Sequence, residues 1–405
     1  MTAGSDDEVV TDEPGESVHS GVSGDVRAAG DPVPETPESR SDLIRLAVRP
    51  LALWAAVQAG MVVLASGIAL LAHKTLEHTL TRWDGGIYLT IAQRGYQNHL
   101  PPPTAPHRAW DLNIAFFPLF PALIRLVHVV THLGIVKSGF LVAEAGALAG
   151  ALMVWYMVHD RYGLTAADRA TALVVCFPGA FILSTTYSET LLIPLVAGCL
   201  IALHHERWVL AGVLAGLSTA VDPTAIAVVV PCVVAAVIAI TRRREWTSLA
   251  APLLSPAGYI AYMAYLWAHV GSPLAWFRVE RRGWGQHTTL AALWDEVVKF
   301  AEHPFKFPDY TTMTAGIVVA AILLVVAVRA RADVTWLSYG AAVFVLPLLS
   351  AQLGFRPRIV LHAFPLIAMV GVVVRRQWFA PILILSAFAM AAVAVVSLGS
   401  LALTP

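Results

Sequence analysis

The sequence predicts an all-α fold: a polytopic bundle of about 11 transmembrane helices, with amphipathic helices in the first outward loop. The chain of 405 residues is 57% hydrophobic and only 13% charged, whereas a soluble domain carries roughly 25% charged residues. The hydrophobic residues also form repeated runs of about 18 residues, which is the length that crosses a bilayer as a helix. These runs lack the alternation of polar and apolar residues that barrel strands need, so helices are favoured.

The apolar runs give twelve candidate segments, one more than the predicted spans. They cover roughly 47–72, 114–133, 138–158, 170–187, 189–204, 208–221, 224–241, 247–270, 312–330, 333–350, 359–374 and 378–398. The pattern at Ile87, Ile91, Tyr88, Ala92 and Tyr96 predicts a helix lying along the membrane surface between the first two segments.

Arginine positions orient the bundle, because positive residues near span ends mark the cytoplasmic side. Arg40, Arg45 and Arg49 place the N-terminus in the cytoplasm, and the arginines at 242–244, 329, 331 and 375–376 mark the same side. The loops 73–113, 271–311 and 351–358 then face outward. Twelve segments cannot satisfy all these anchors, so one segment between 114 and 241 must be re-entrant or miscounted, and the sequence leaves open which.

Composition divides the chain into an acidic tail, 1–41, and a multi-span membrane domain, 42–405. The tail holds ten acidic residues against Arg27 and Arg40, and it contains no aromatic residue. Such a segment cannot bury enough apolar area to offset its ordering entropy, so we expect a disordered cytoplasmic tail. Cys176, Cys199 and Cys232 all lie in apolar segments and are interpreted as core residues.

The first outward loop contains Arg82-Trp83-Asp84, followed by Tyr88. A carboxylate beside a cation and partly buried by an indole is suited to take a proton from an attacking hydroxyl. Asp84 is therefore the candidate catalytic residue, and Arg82, Trp83 and Tyr88 are candidate substrate contacts. Asp84 is equally placed to cap the helix that follows, and Trp83 to anchor the loop at the interface.

Further candidate substrate-binding residues lie at other span ends. Asp111, at the far end of the same loop, is either a second acid of the cavity or a helix cap. Tyr187 and Glu189 lie between two apolar segments, where an acid must face a polar cavity or cap a helix. Asp222 precedes Pro223, which also favours a simple turn.

Arg356, Arg358 and His362 lie on the outward side, where arginine pairs are less expected. Two guanidinium groups suit a phosphate, which they grip with paired hydrogen bonds, although ordinary contact with lipid headgroups is the alternative. We find no glycine-rich phosphate loop, no His-Glu-x-x-His and no Asp-x-Asp, so the sequence predicts no cofactor, no metal and no nucleic-acid partner.

Three stretches in series resemble the family of the second GPI mannosyltransferase (PIG-V type) and its bacterial relatives, which are polytopic glycosyltransferases of the GT-C class. They are residues 82–96, the run Ala115-Phe116-Phe117-Pro118-Leu119-Phe120-Pro121, and residues 177–181 leading to Tyr187-Ser188-Glu189. Residues 271–274 and 356–365 match more weakly, and residues 1–45 lie outside the resemblance.

The resemblance implies an inverting mannosyltransferase with a polyprenyl-phosphate-linked sugar donor, an outward-facing active site, and Asp84 as base. The acceptor would be a glycan, a glycolipid or a protein. One departure stands out: relatives tend to have an arginine where this chain has Asp222. The reversed charge supports an alternative, a lipid-sugar transporter or a catalytically inactive GT-C scaffold.

Overall fold

The computed structural model describes residues 46–100, 109–289, 309–351 and 354–400, together with positions 291, 294, 298, 301, 302 and 403. The predicted disordered tail, 1–41, lies outside the described residues. The helices, in chain order, are α1 (Val48–Leu71), α2 (Leu76–Leu80), α3 (Asp84–Arg94), α4 (Leu119–Thr131), α5 (Ile135–Tyr162), α6 (Leu164–Val175), α7 (Glu189–His204), α8 (Trp208–Ser218), α9 (Val229–Arg243), α10 (Ala250–Leu254), α11 (Ala257–Val270), α12 (Ala275–Trp284), α13 (Asp309–Arg329), α14 (Val334–Leu348), α15 (Pro357–His362), α16 (Phe364–Val373) and α17 (Arg376–Gly399). Short 3₁₀ turns occupy Ala109–Ala115, Pro178–Ser184, Pro223–Val228 and Trp246–Leu249.

Several helices have the length and composition of membrane spans. Five continuous units qualify, namely α1, α5, the 3₁₀ turn Pro223–Val228 with α9, α13 and α17. Two bent pairs also qualify: α6 with Pro178–Ser184, bent by 81°, and Trp246–Leu254 with α11, bent by 42°. The shorter apolar helices α7, α8, α14 and α16 complete a set of eleven units within the described chain. The predicted polytopic helix bundle is therefore confirmed.

These units alternate between two ends of the bundle, which we call the Asp84 end and the basic end. At the basic end, ion pairs join helix termini from distant parts of the chain: Arg49 with Asp168, Arg161 with Asp333, and Arg243 with Glu206. At the Asp84 end, Arg358 pairs with Asp84, and Arg82 and Trp83 donate to carbonyl groups at the end of α17. Within the described residues, the arginines that the sequence assigns to the cytoplasm belong to the basic end, whereas Arg40 and Arg45 lie outside those residues.

The segment that breaks the predicted alternation is α4. It has 13 residues, or about 20 Å of helix, which is short of a hydrocarbon core of about 30 Å. The amide of Leu119 donates to the carbonyl of Ala220, two residues before Asp222, while Thr131 lies four residues before the start of α5. Both ends of α4 therefore lie on the Asp84 side, so α4 is the twelfth apolar segment and does not cross the bundle.

Small residues let the spans approach each other closely. A Cβ atom on Gly146 of α5 would lie 2.7 Å from the carbonyl oxygen of Thr190 in α7. A Cβ on Gly371 of α16 would lie 2.5 Å from the Cα of Ala170 in α6. Close backbone approach through glycine is how helices pack where lipid removes the hydrophobic drive to associate. These contacts draw α5, α6, α7 and α16 into the core.

Candidate active site at the Asp84 end

Asp84 is the first residue of α3, and its carboxylate faces another part of the chain. Its Oδ2 atom lies 2.6 Å from Nη1 of Arg358, 274 positions further along. The N-cap residue of α3 is Trp83, and no side chain caps the helix there. The Asp84 carboxylate thus bonds a cation on α15. The first turn of a helix also favours a negative charge through the helix dipole.

Arg82 and Trp83 fix the direction in which Asp84 points. The indole Nε1 of Trp83 donates to the carbonyl of Ser397 at 3.0 Å, and Arg82 donates to the carbonyl of Leu398. The Arg82 guanidinium also lies 5.6 Å from the centre of the Trp83 ring. Trp83 has φ 58°, a left-handed conformation that L residues adopt only when surrounding contacts hold it. Both side chains predicted to contact substrate therefore hold the loop against α17.

Glu189, the first residue of α7, is the most deeply buried carboxylate of the site, with 1% of its surface exposed. Its Oε1 atom lies 3.7 Å from Nε of Arg358 and 3.4 Å from Nε2 of His362. A buried carboxylate is costly unless positive charge and hydrogen bonds compensate it. Arg358 therefore joins the two predicted acids, Asp84 and Glu189, at one point.

His362 extends this network to Asp222. Its Nδ1 atom lies 2.8 Å from the hydroxyl of Thr224, and that hydroxyl donates to Oδ1 of Asp222 at 2.5 Å. The backbone amide of Thr224 donates to the same oxygen at 2.8 Å, so Asp222 caps the 3₁₀ turn Pro223–Val228. Asp222 also faces the site, because its other oxygen lies 3.5 Å from the Ser188 hydroxyl.

The two predicted tyrosines line the opposite side of the cluster. Tyr88 donates to the hydroxyl of Ser188 at 2.9 Å, and the Tyr187 hydroxyl accepts from the backbone amide of Asp84 at 3.3 Å. The Arg358 guanidinium lies 5.7 Å from the Tyr187 ring centre. Burial raises the pKa of Tyr88, and nearby carboxylates, Asp222 first, raise it further, so this hydroxyl stays protonated.

Asp111 and Arg356 are the two remaining residues that the sequence predicts to bind substrate. Asp111 belongs to the 3₁₀ turn Ala109–Ala115, and its side chain lies outside the described residues. Arg356 is the N-cap residue of α15 and is half-buried. It precedes Arg358 by two residues, at the Asp84 end. The contacts that join the cluster run through Arg358 and His362.

Glu280 is a residue of this site that sequence reasoning missed. It lies on α12, in the second outward loop, and is half-buried. Burial raises the pKa of its carboxyl to about 8, helped by the negative charges of Asp84 and Asp222 and opposed by Arg358. Glu280 is thus a neutral acid at pH 7. The signal in the sequence is a single acid among Arg278, Arg281 and Arg282.

The chemistry open to this arrangement is proton transfer beside a fixed cation. The Asp84 carboxylate pairs with a guanidinium, and the raised pKa of Glu280 favours a protonated carboxyl in the same region. Within the described part of the chain, no group of three His, Cys, Asp or Glu side chains has the arrangement of a metal site.

The architecture around the site matches solved structures. ArnT from Cupriavidus metallidurans, crystallised with undecaprenyl phosphate bound, superposes on 88% of this chain with a TM-score of 0.51 and 13% sequence identity. This chain has the GT-C fold. It spans 64% of the length of ArnT. A second similar structure is the Archaeoglobus fulgidus oligosaccharyltransferase tethered to an acceptor peptide, with 12% sequence identity and a TM-score of 0.41. The alignment covers 87% of this chain and 56% of the oligosaccharyltransferase chain. No protein-family model and no curated protein matches the sequence.

Within this GT-C fold, Gly179 sets the position of Arg358. A Cβ atom on Gly179 would lie 2.2 Å from the carbonyl oxygen of Pro357 and 2.8 Å from the amide nitrogen of Arg358. The 3₁₀ turn Pro178–Ser184 therefore packs directly on the backbone of α15. The stretch 177–181, which contributes to the family resemblance, has a structural role in supporting the cation of the site.

Proposed function

We propose that this protein is an inverting glycosyltransferase that moves a sugar, most simply mannose, from a polyprenyl-phosphate donor to an acceptor on the outer face of the membrane. The observation that carries the proposal is the ion pair of Asp84 with Arg358, joined by Glu189, in a bundle of the GT-C fold. The bound undecaprenyl phosphate of ArnT supports a polyprenyl-phosphate donor.

The proposed reaction is a single displacement. Asp84 takes the proton of the acceptor hydroxyl, and the acceptor oxygen attacks the anomeric carbon of the donor sugar. The bond from that carbon to the phosphate oxygen breaks, and its electron pair leaves with the polyprenyl phosphate. Attack opposite the leaving group inverts the anomeric carbon, so a β-linked donor gives an α-linked product.

Arg358 has two tasks in this proposal. One face of its guanidinium pairs with Asp84 and orients that carboxylate. Its remaining N–H groups are directed to the donor phosphate, with Arg356 as the second cation. A preorganised cation stabilises the negative charge that develops on the leaving phosphate, which is commonly the largest catalytic contribution. His362 and Glu189 hold Arg358 from behind, and Tyr88 and Tyr187 border the substrate space. Asp111 remains a predicted substrate contact.

The test is transfer from radiolabelled polyprenyl-phosphate-mannose by membranes containing the protein, its Asp84→Asn variant, or Asp160→Asn as a matched control at the basic end. Removing a general base lowers the rate by roughly 10²-fold to 10⁴-fold. We expect that loss in Asp84→Asn only, with unchanged size-exclusion behaviour because Arg358 retains Glu189 as partner. Full transfer by a folded Asp84→Asn protein would contradict the assignment. Transfer from the corresponding glucose or arabinose donor, with no transfer from the mannose donor, would show that the donor sugar is not mannose.

Asp222 favours a second candidate function, a lipid-sugar transporter or an inactive scaffold, because its negative charge would repel a donor phosphate. The two functions differ in their products. A transferase releases free polyprenyl phosphate in proportion to the sugar transferred, whereas a transporter moves the intact lipid between leaflets. Chromatography of the lipid fraction after incubation distinguishes them.

A further inference from the structure

A cavity with a few charged side chains in a largely apolar lining lies at the basic end, across the bundle from Asp84. Its volume is about 240 Å³. Its lining comes from the starts of α1, α6 and α17 and the end of α5, and includes Arg49, Trp155, Asp168, Arg169, Thr171 and Phe379. None of these residues takes part in the site described above, and the proposed glycosyl transfer does not use them.

The cavity has an excess of positive charge. Arg49 is paired with Asp168 at 2.7 Å, and Asp168 also accepts from the Trp155 indole at 2.9 Å. Arg169 forms no ion pair with any described residue. It donates to the carbonyl of Val374 at 3.3 Å and lies 5.3 Å from the centre of the Phe379 ring. Among the described residues, two guanidinium groups face one carboxylate, so one cation is left uncompensated within this set.

Thr171 supplies an independent sign of a missing partner. The residue is completely buried, yet its hydroxyl has no hydrogen-bond partner among the residues that the structure describes. A buried hydroxyl without a partner costs free energy, and helical threonines ordinarily satisfy it through a carbonyl one turn earlier. Here Thr171 belongs to the cavity lining, beside Arg169 in the chain. A ligand oxygen in the cavity would give this hydroxyl the acceptor that it lacks.

We propose that this cavity binds the phosphate group of an anionic lipid in the leaflet at the basic end. Arg169 and Arg49 supply the guanidinium donors that suit phosphate oxygens, and Thr171 adds a neutral donor. The remainder of the lining is apolar or aromatic, with Leu53, Ala172 and Phe379, which suits the glycerol and upper acyl region of a lipid. Arg376 and the exposed indole of Trp378 lie on the first turn of α17, where interfacial anchors are expected.

The test is lipid binding to the purified full-length protein, measured by native mass spectrometry with dioctanoyl phosphatidylglycerol. Dioctanoyl phosphatidylcholine is the zwitterionic comparison, and inorganic phosphate is the competitor that represents a soluble source of the same group. Arg169→Gln removes the charge and retains a donor for Val374. Thr171→Val removes the hydroxyl and retains the shape. Arg242→Gln removes one exposed charge at the same end but outside the cavity.

We expect one phosphatidylglycerol to bind in preference to phosphatidylcholine, with roughly tenfold weaker binding in Arg169→Gln and about fivefold weaker binding in Thr171→Val. Arg242→Gln should bind as the parent does. Equal weakening by Arg242→Gln would show general surface attraction and overturn the proposal, as would unchanged binding in both cavity variants. Displacement of the lipid by inorganic phosphate at equal concentration would assign the cavity to a soluble phosphate and overturn the lipid assignment. Because the readout is binding, it is independent of transfer activity.

Discussion

At the scale of single residues, the site is governed by which carboxyl groups carry charge. Asp84 and Glu189 both pair with Arg358. Glu280 forms no ion pair with any residue that the structure describes, and burial and its acidic neighbours favour its protonated form. A neutral Glu280 limits the negative charge that a donor phosphate would meet. The charge of the site therefore depends on pH through the protonation of Glu280.

We predict that donor binding weakens as pH rises through about 8, where Glu280 ionises. One added negative charge in the site should raise the KM for the polyprenyl-phosphate donor by roughly fivefold to tenfold between pH 7 and 9. Glu280→Gln, which remains neutral, should flatten this profile. Glu206→Gln, at the basic end, should keep it. An unchanged rise in KM in Glu280→Gln would show that another group titrates.

The same group contributes to the pH dependence of stability. The folded state raises the pKa of Glu280 from 4.5 to about 8. The folded protein therefore binds this proton more tightly than the unfolded chain does. The resulting stabilisation is complete below pH 4.5 and is lost as pH rises through 8. Melting temperatures across this range should decline less in Glu280→Gln than in the parent.

At the scale of elements, short helices and turns position the charged groups, and the long spans support them. α15 has six residues and carries both Arg358 and His362. The 3₁₀ turn Pro178–Ser184 contacts its backbone through Gly179, and α3 is held against α17 by Arg82 and Trp83. The geometry of the site therefore depends on backbone contacts between elements that are remote in sequence.

We predict that Gly179→Ala displaces α15 and with it Arg358. The new methyl group would overlap the Pro357 carbonyl, and overpacking of this kind costs about 1–3 kcal/mol of unfolding free energy. Transfer activity should fall along with thermal stability. Gly67→Ala, on α1 and without any atom within 4 Å of the new Cβ, is the matched control and should keep both. Normal activity in Gly179→Ala would mean that the turn accommodates the methyl group without moving Arg358.

At the scale of the whole molecule, the bundle has two chemically different ends. The Asp84 end gathers buried carboxylates and tyrosines around Arg358, and the basic end gathers exposed arginines at helix termini. Positive residues remain on the cytoplasmic side during membrane insertion. The orientation expected from this asymmetry places the Asp84 end outside.

Cysteine labelling tests this orientation, because the native Cys176, Cys199 and Cys232 are buried. His99→Cys at the Asp84 end and Arg242→Cys at the basic end introduce exposed thiols. A membrane-impermeant maleimide should label His99→Cys in intact cells and label Arg242→Cys only after permeabilisation. The reverse pattern would place the proposed active site in the cytoplasm.

Much of the fold follows from the sequence alone. The apolar runs predict the spans, since a helix is the structure that satisfies its own backbone in lipid. Their composition does not distinguish α4 from a crossing helix, because a mostly apolar stretch of 13 residues has the same local preference in either setting. Only its contacts with Ala220 and the start of α5 exclude a crossing.

The candidate site shows the same division. Asp84, Tyr187, Glu189 and Arg358 are visible in the sequence because charges and hydroxyl groups at span ends need a reason to be there. Only the tertiary structure brings them together: Arg358 contacts Asp84, 274 residues away in the sequence, and His362 contacts Thr224, 138 residues away. Glu280 could not be predicted from the sequence, because its protonation depends on Asp84, Asp222 and Arg358, which lie on other elements. Local preference fixes which segments are helices, whereas long-range packing fixes which charges become neighbours.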